Sequence, residues 1–310
     1  MTTTATPTAD AAVAAAPRRR GRRSLRRSQH IAGLVFALPV IVLELLLLAI
    51  PIGQAVYYSL TRWDGIQSTW VGINNYQRLF GDPNFWRIVL NNLILLACVP
   101  IAILIPLLVA YLLNEHVLGC RLFRSAYFLP TAISWVVIGM IAIRVFAVDG
   151  ILDQLLRAVG LNATTDMLSG EWSAMIAVAI VFIWSVFGTN TIIFITGMAT
   201  LDRGVYEAAR VDGATAFTTF RKITIPMLMR FIQFAFILTL ITAFTALFSL
   251  IFIMTGGGPG FGSTTLEFYV YQQGFKVGAF GYAAAIGVVL FVVVFGISIA
   301  QLRLFRSRLD

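Results

Sequence analysis

The chain has 310 residues, 59% of them hydrophobic and 12% charged, with a formal net charge of +9. A soluble domain of this length has no core large enough to hide that much apolar surface, and two cysteines with two histidines exclude a disulfide framework and leave little for a metal centre. Composition therefore selects an all-α polytopic membrane protein.

Residues 1–29 are rich in Ala and Thr and end in a cluster of seven arginines, Arg18 to Arg27. Nothing there can bury a core, so a disordered basic tail is expected, with residues 30–310 forming one membrane domain. The first apolar run, 32–60, is about twice the length of a signal-peptide core and lacks a small-residue cleavage site, which predicts an uncleaved first span. Glu44 lies near its middle, a costly position, and reads as a hydrogen-bonded strut. Five more runs follow at 88–113, 122–146, 172–199, 226–254 and 277–302. Six spans put both termini on one side. Seventeen of the 23 basic residues fall in the tail, the second and fourth loops, the Arg230 flank and the C-terminus, against Arg62, Arg78, Arg87, Arg157 and Lys276 opposite. The positive-inside rule then makes both termini cytoplasmic, and the basic charge is an orientation signal and not a nucleic-acid footprint. Cys98 in span two and Cys120 in a cytoplasmic loop share no geometry for pairing; His30 and His116 fall at membrane edges.

The loops on the far side, 61–87, 147–171 and 255–276, are too short to be domains. The first carries Trp63, Trp70, Tyr76, Phe80, Phe85 and Trp86, which read as an interfacial belt on a partly helical loop, with contact to an external protein as the alternative. The third holds TGGGPGFGSTT, residues 255–265. No Gly-Lys-Ser or Gly-Lys-Thr follows it, so it is a sharp turn and not a phosphate cradle.

Between spans four and five lies a polar island, YEAARVDGATAFTTFRKITIP, residues 206–226. Asp202 is placed to cap a helix whose first turn carries Glu207 near the positive dipole end. Ala208, Ala209 and Arg210 favour helix and Gly213 stops it. A second helix starts at Thr215, with Phe217, Phe220 and Ile223 along one side, and Pro226 disfavours helical geometry at Ile225, separating this element from span five. Glu207 and Asp212 gain nothing from an anionic lipid surface, which favours a protein partner over a lipid-bound linker.

A route for hydrophilic solute needs polar groups inside the bundle. Span four offers Thr189, Asn190, Thr191 and Thr196; span five offers Gln233, Thr239, Thr242, Thr245 and Ser249, interleaved with Phe244 and Phe248. Thr242, Thr245 and Ser249, at i, i+3 and i+7, would share a helix face. The competing role for each hydroxyl is a bond to the carbonyl four residues back.

The run EAA at Glu207, Ala208 and Ala209, the DGA that follows at Asp212, and Phe220, Ile223 and Ile225 before Pro226 together resemble the EAA loop of the inner-membrane permease subunits of ABC importers fed by a binding protein. FRSAYFLPTAIS (123–134), WVGINNYQRLF (70–80), TGGGP (255–259) and FGYAAAIGVVL (280–290) resemble the carbohydrate branch of that family, with the maltose and glycerol-3-phosphate permeases, over nearly the whole chain after the tail. Asp202 and Arg203 depart from relatives that have a proline at the start of the loop. The resemblance implies a type I ABC importer transmembrane domain: six transmembrane helices and a cytoplasmic coupling helix within residues 200–225, in a bacterial inner membrane. It implies three kinds of partner, namely a second, homologous permease forming a heterodimer, two copies of a cytoplasmic ATPase that hold the ATP and Mg, and an extracytoplasmic solute-binding protein. This chain is then non-catalytic, with no cofactor of its own, and forms half of a path for a sugar or polyol. Glu207 would pair with a charge on the ATPase, Ala208 and Ala209 would allow close packing, Gly213 would make the turn, and Asp212 and Phe217 belong to the same surface. Thr189, Asn190, Thr242, Phe244, Thr245, Phe248 and Ser249 are the candidate path residues. An autonomous ion-coupled carrier or channel is the alternative; against it, no span carries an acid pair or an Arg and acid pair. A membrane enzyme would need His ligands, paired Asp residues or a Ser and His set within the spans.

Overall fold

The computed structural model describes residues 33, 35–114, 129–160 and 166–306. The tail, His30, His116, Cys120 and residues 123–128 lie outside these. The chain divides into two units, Met1–Gln54 and Ala55–Asp310. The first carries most of helix α1 (Val35–Ser59), whose apolar stretch buries nothing within the chain and which contains one widened π-turn at Leu45–Ala49. Glu44 is exposed, and among the described residues no hydrogen bond or ion pair reaches it.

The second unit opens with a hairpin, β1 (Thr61–Trp63) against β2 (Ser68–Trp70), antiparallel with Thr61 opposite Trp70. Then come α2 (Asn74–Gly81), α3 (Pro83–Asn114), α4 (Trp135–Phe146), α5 (Ile151–Ala158), α6 (Glu171–Ala199) and α7 (Arg203–Val211). Next are α8 (Ala216–Met227), α9 (Met229–Thr245), α10 (Phe248–Met254), α11 (Leu266–Tyr271) and α12 (Phe280–Arg306). Among the described residues five helical stretches are long and apolar enough to cross a membrane, and α8 with α9, bent by 73°, add a sixth when the bent pair is counted as one span. Among the described residues the hairpin is the one departure from the all-α expectation. Its signal was present in Asp64-Gly65, a turn pair, but three-residue strands show too little alternation to be read. Gly65 has φ +99°, and Asp64 Oδ1 accepts from the amides of Ile66 at 2.9 Å and Gln67 at 2.7 Å. Those two bonds hold the Asp64 carboxyl below its usual range.

With lipid outside, packing and not water exclusion brings helices together, so small residues mark the contacts. Ala102 and Ala110 of α3 and Ala174, Ala177 and Val178 of α6 are buried completely. A Cβ on Gly197 would lie 2.7 Å from the Phe231 ring, so α6 meets α9 at a distance only glycine permits. A second apolar cluster joins Leu79, Phe85 and Ile88 to Leu266, Tyr269, Tyr282 and Ile286.

The glycine-rich loop turns as expected, with positive φ at Gly256, Gly257 and Gly260. It is also stapled down. Asn91 Nδ2 donates to the carbonyls of Phe261 and Thr264, each at 2.8 Å, and Asn92 Oδ1 accepts from the Leu266 amide at 2.9 Å. Gly262 presses on α6, where a Cβ would stand 2.6 Å from Glu171 Cα.

Two expectations about span five are corrected. Ile225 is helical, with φ −60° and ψ −49°, and the chain bends two residues after Pro226, at Leu228. A π-turn over Phe220–Thr224 precedes the proline, and this widening relieves the clash that the ring would make with the preceding turn. Helix α9 then stops at Thr245, where Ala246 has φ −126°, and α10 starts afresh. Ser249 therefore does not continue the face of Thr242 and Thr245. The new helix is capped from a distance: Glu267 Oε2 accepts from the Phe248 amide at 3.1 Å.

Candidate functional site

The polar island folds as a short helix, a tight turn and a second helix. Asp202 Oδ1 accepts from the Gly204 amide at 2.9 Å and starts α7. Because α7 begins at Arg203, Glu207 is its fifth residue and its first turn holds no acid, so the predicted dipole pairing is lost: the field fades beyond the first turn. The end of α7 follows the Schellman pattern. Gly213 adopts φ +75°, its amide donates to Arg210 at 3.1 Å, and the Ala214 amide donates to Ala209 at 2.9 Å. Thr215 Oγ1 then accepts from the Thr218 amide at 3.3 Å and caps α8.

Both helices are tied inward. The Tyr111 hydroxyl near the end of α3 donates to the Ala216 carbonyl at 3.3 Å, and its ring lies 5.0 Å from that of Phe220. The Tyr206 and Thr224 hydroxyls are 3.2 Å apart, linking α7 to the π-turn. Ala209 is buried at 6% exposure, whereas Glu207, Ala208, Asp212 and Gly213 are exposed. Phe217 does not share a side with Phe220: Phe217 is 70% exposed and Phe220 is buried, with Ile223 half-buried. Positions three apart on an α-helix are offset by about 60°, and with Phe220 packed on the Tyr111 ring that offset leaves Phe217 outside the buried side. Val211, 88% exposed, is a second bare apolar side chain of this element, with no signal in the apolar spacing to mark it.

Within the bundle, α6 and α9 open a cavity of about 250 Å³. Thr189, Asn190 and Thr242 of the predicted path line it, together with Thr131, Ser185, Thr239 and Ala246. Phe244 is buried in the core, Thr245 is exposed with its hydroxyl bonded to the Ile241 carbonyl at 2.8 Å, and Phe248 and Ser249 belong to α10. Thr242 likewise bonds the Leu238 carbonyl at 2.9 Å, and Ser185 bonds Val181 at 2.7 Å. These hydroxyls satisfy themselves on their own helix and still present lone pairs to the cavity.

Asn190 works differently. Its Nδ2 donates to the Ala102 carbonyl at 2.8 Å and to Thr239 Oγ1 at 3.1 Å. In a regular helix the Ala102 carbonyl would accept from residue 106, which is Pro106 and has no N–H. Asn190 supplies the missing donor and joins α3, α6 and α9 at one point. Pro106 inside an apolar run was the available signal for this bond, since it orphans a carbonyl four residues back. Among the described residues no group of three or more His, Cys, Asp or Glu side chains forms a metal site.

Comparison with known proteins agrees with this architecture. A probable ABC transporter permease, YurN of Bacillus subtilis, is 34% identical over 281 residues, covering 88% of this chain and 95% of that protein. The permease MsmF of the multiple sugar-binding transport system of Streptococcus mutans is 33% identical over 279 residues, covering 89% and 95%. A chain in the crystal structure of a bacterial ABC transporter that imports the acidic polysaccharide alginate superposes with a TM-score of 0.77, at 21% identity, covering 93% of this chain and 99% of that one. That last likeness establishes the fold, and the autonomous carrier is not favoured by any of the three. Residues 84–308 match the family described as the binding-protein-dependent transport system inner membrane component, and the chain belongs to that family as a multi-pass permease subunit.

Proposed function

We propose that this chain forms half of the translocation path of a sugar or polyol importer and is driven through α7 by a cytoplasmic ATPase. The observation that carries the reading is the α7–Gly213–α8 element: it exposes Glu207, Val211 and Phe217 on its outer surface and is fixed to α3 through Tyr111. A short helix with an acid, two bare apolar side chains and a small Ala208 is shaped to enter a groove on another protein. Anchored on its inner side, it passes a push from that partner to the helices of the bundle. Glu207 then pairs with a basic residue of the ATPase, the exposed Ala208 permits close approach while Ala209 packs inward, and Asp212 and Gly213 hold the turn that presents Phe217.

ATP and Mg belong to that partner, and this chain is non-catalytic. The cavity of about 250 Å³ is below the ordinary ligand-pocket range of about 300–1,000 Å³, as befits a half-site completed by a second, homologous permease. Its hydroxyls and amide suit a polyhydroxy solute delivered by an extracytoplasmic binding protein. The basic-residue bias places the termini and α7 in the cytoplasm of a bacterial cell and the hairpin outside.

The test is gentle detergent purification of the tagged chain from its native host, with mass identification of co-purifying proteins. Recovery of a second six-span permease and an ATPase supports the reading. Recovery of this chain alone as a stable homo-oligomer overturns it.

A further inference from the structure

Beside the hairpin lies a separate cavity of about 470 Å³, whose wall carries Arg62, Asp64, Asn74, Arg78 and Val277. It sits where α1 ends at Ser59 and α12 begins at Phe280, the level at which two membrane-crossing helices leave the apolar layer. The fold fixes this wall. Asn75 Nδ2 donates to the carbonyls of Ser59 and Thr61, each at 2.8 Å, and so ties α2 to the end of α1. Gly281 lets the hairpin press on α12, since a Cβ there would stand 2.1 Å from the Thr61 carbonyl oxygen.

The charges on the wall are not consumed by the fold. Neither Arg62 nor Arg78 pairs with a carboxylate among the described residues; the Arg78 guanidinium rests on the Tyr282 ring at 4.5 Å. Asp64 uses Oδ1 to hold its own turn, and its second oxygen remains an acceptor. The cavity therefore offers two cations and one anion. A plain anion satisfies the arginines and is repelled by Asp64, and a neutral solute leaves all three charges uncompensated.

A phosphoethanolamine headgroup answers both signs. Planar guanidiniums take phosphodiester oxygens in pairs, and the ammonium, one two-carbon link away, suits the free oxygen of Asp64. The apolar remainder of such a lipid also finds neighbours: Val277 is 63% exposed, and Phe275 two residues before it is 73% exposed. The exposed rings of Tyr57 and Trp70, 6.0 Å apart, belong to the depth at which aromatic side chains mark the membrane interface. We propose that this cavity binds the headgroup of a zwitterionic phospholipid, with the phosphodiester at Arg62 and Arg78 and the ammonium at Asp64. Arginines that merely snorkel at an interface need neither a cavity nor a carboxylate in its wall. The site requires only that α1 and α12 cross the membrane, so its failure leaves the importer reading standing.

The test uses the full chain, with whatever subunits accompany it, purified in detergent and stripped of lipid. Its melting temperature is followed as phosphatidylethanolamine, phosphatidylglycerol, diacylglycerol or inorganic phosphate is added. Phosphatidylethanolamine should raise it at a concentration about tenfold below that of phosphatidylglycerol, and diacylglycerol and inorganic phosphate should leave it unchanged. Arg62 and Arg78 are exposed, so Arg62→Gln with Arg78→Gln spares the fold and should weaken the phosphatidylethanolamine response about tenfold or more. Asp64→Asn keeps an oxygen for the turn amides but removes the charge, and should make the two phospholipids equivalent. An equal shift with diacylglycerol overturns the site by making the contact apolar alone. An equal shift with inorganic phosphate overturns the lipid by making this a small-anion site. A wild type that responds to no lipid, a double variant that responds in full, or a phosphatidylethanolamine preference that survives Asp64→Asn each overturns it as well.

Discussion

Asn190 of α6 donates a hydrogen bond to the Ala102 carbonyl of α3, the acceptor that Pro106 leaves without a helical partner. An unpaired carbonyl within lipid costs far more than one at a water-exposed kink, so this side chain holds the bundle together at the wall of the cavity.

Asn190→Leu is expected to lower stability by about 1–3 kcal/mol, seen as a reduced melting temperature in detergent. Adding Pro106→Ala returns an N–H to the helix beneath Ala102, and the double variant should recover part of the loss. If the two effects simply add, the proline and the asparagine are unrelated.

Gly213 sits at φ +75°, and no atom lies within 4 Å of the point where a Cβ would stand, so a substitution there is opposed by backbone conformation and not by crowding. Gly213→Val should cost about 1–2 kcal/mol locally and reduce recovery of the ATPase in a pull-down while leaving membrane insertion intact. Recovery equal to wild type would count against the turn as the element that presents α7.

Glu207→Lys reverses the exposed charge on α7 without touching a buried contact. The expected outcome is normal expression and ATP hydrolysis with uptake reduced at least tenfold. Wild-type uptake by this variant would remove Glu207 from the coupling surface.

Glu267 lies outside the membrane-crossing helices, and burial raises its carboxyl from 4.5 to about 7, opposed by the hydrogen bonds it accepts from the amides at the start of α10. Its folded-state value is above the unfolded one, so its contribution to stability is complete below about pH 4.5 and is lost as pH rises through 7. The loss is on the order of 2–3 kcal/mol. Melting curves at pH 5 and pH 8 should show the wild type less stable at pH 8 by that margin, and Glu267→Gln should flatten the difference. An unchanged pH dependence in the variant would assign it to another group.

How much of this was legible in the sequence differs by element. The long apolar runs announced the spans, because a bilayer imposes a length that few other structures need. Asp202, Gly213 and Thr215 announced α7, its stop and the start of α8, because caps and left-handed turns select residue types directly. The direction of Phe217 and the break after Thr245 were not legible. The break is completed by a distant carboxylate and the exposure of Phe217 depends on how the first turn of α8 meets its neighbours, features set by tertiary contacts that leave no periodicity behind. The donor role of Asn190 lay between these cases: the orphaned carbonyl follows from Pro106, but only the fold says which side chain answers it.

The cap on α10 comes from 19 residues downstream. During synthesis, residues 246–254 leave the ribosome before Glu267 does, so the break enters the membrane with its leading amides bare and waits for the chain to return. Insertion of this half of the protein therefore cannot finish helix by helix. A truncation ending just before Glu267 would carry every residue of the broken span and still lack the group that completes it.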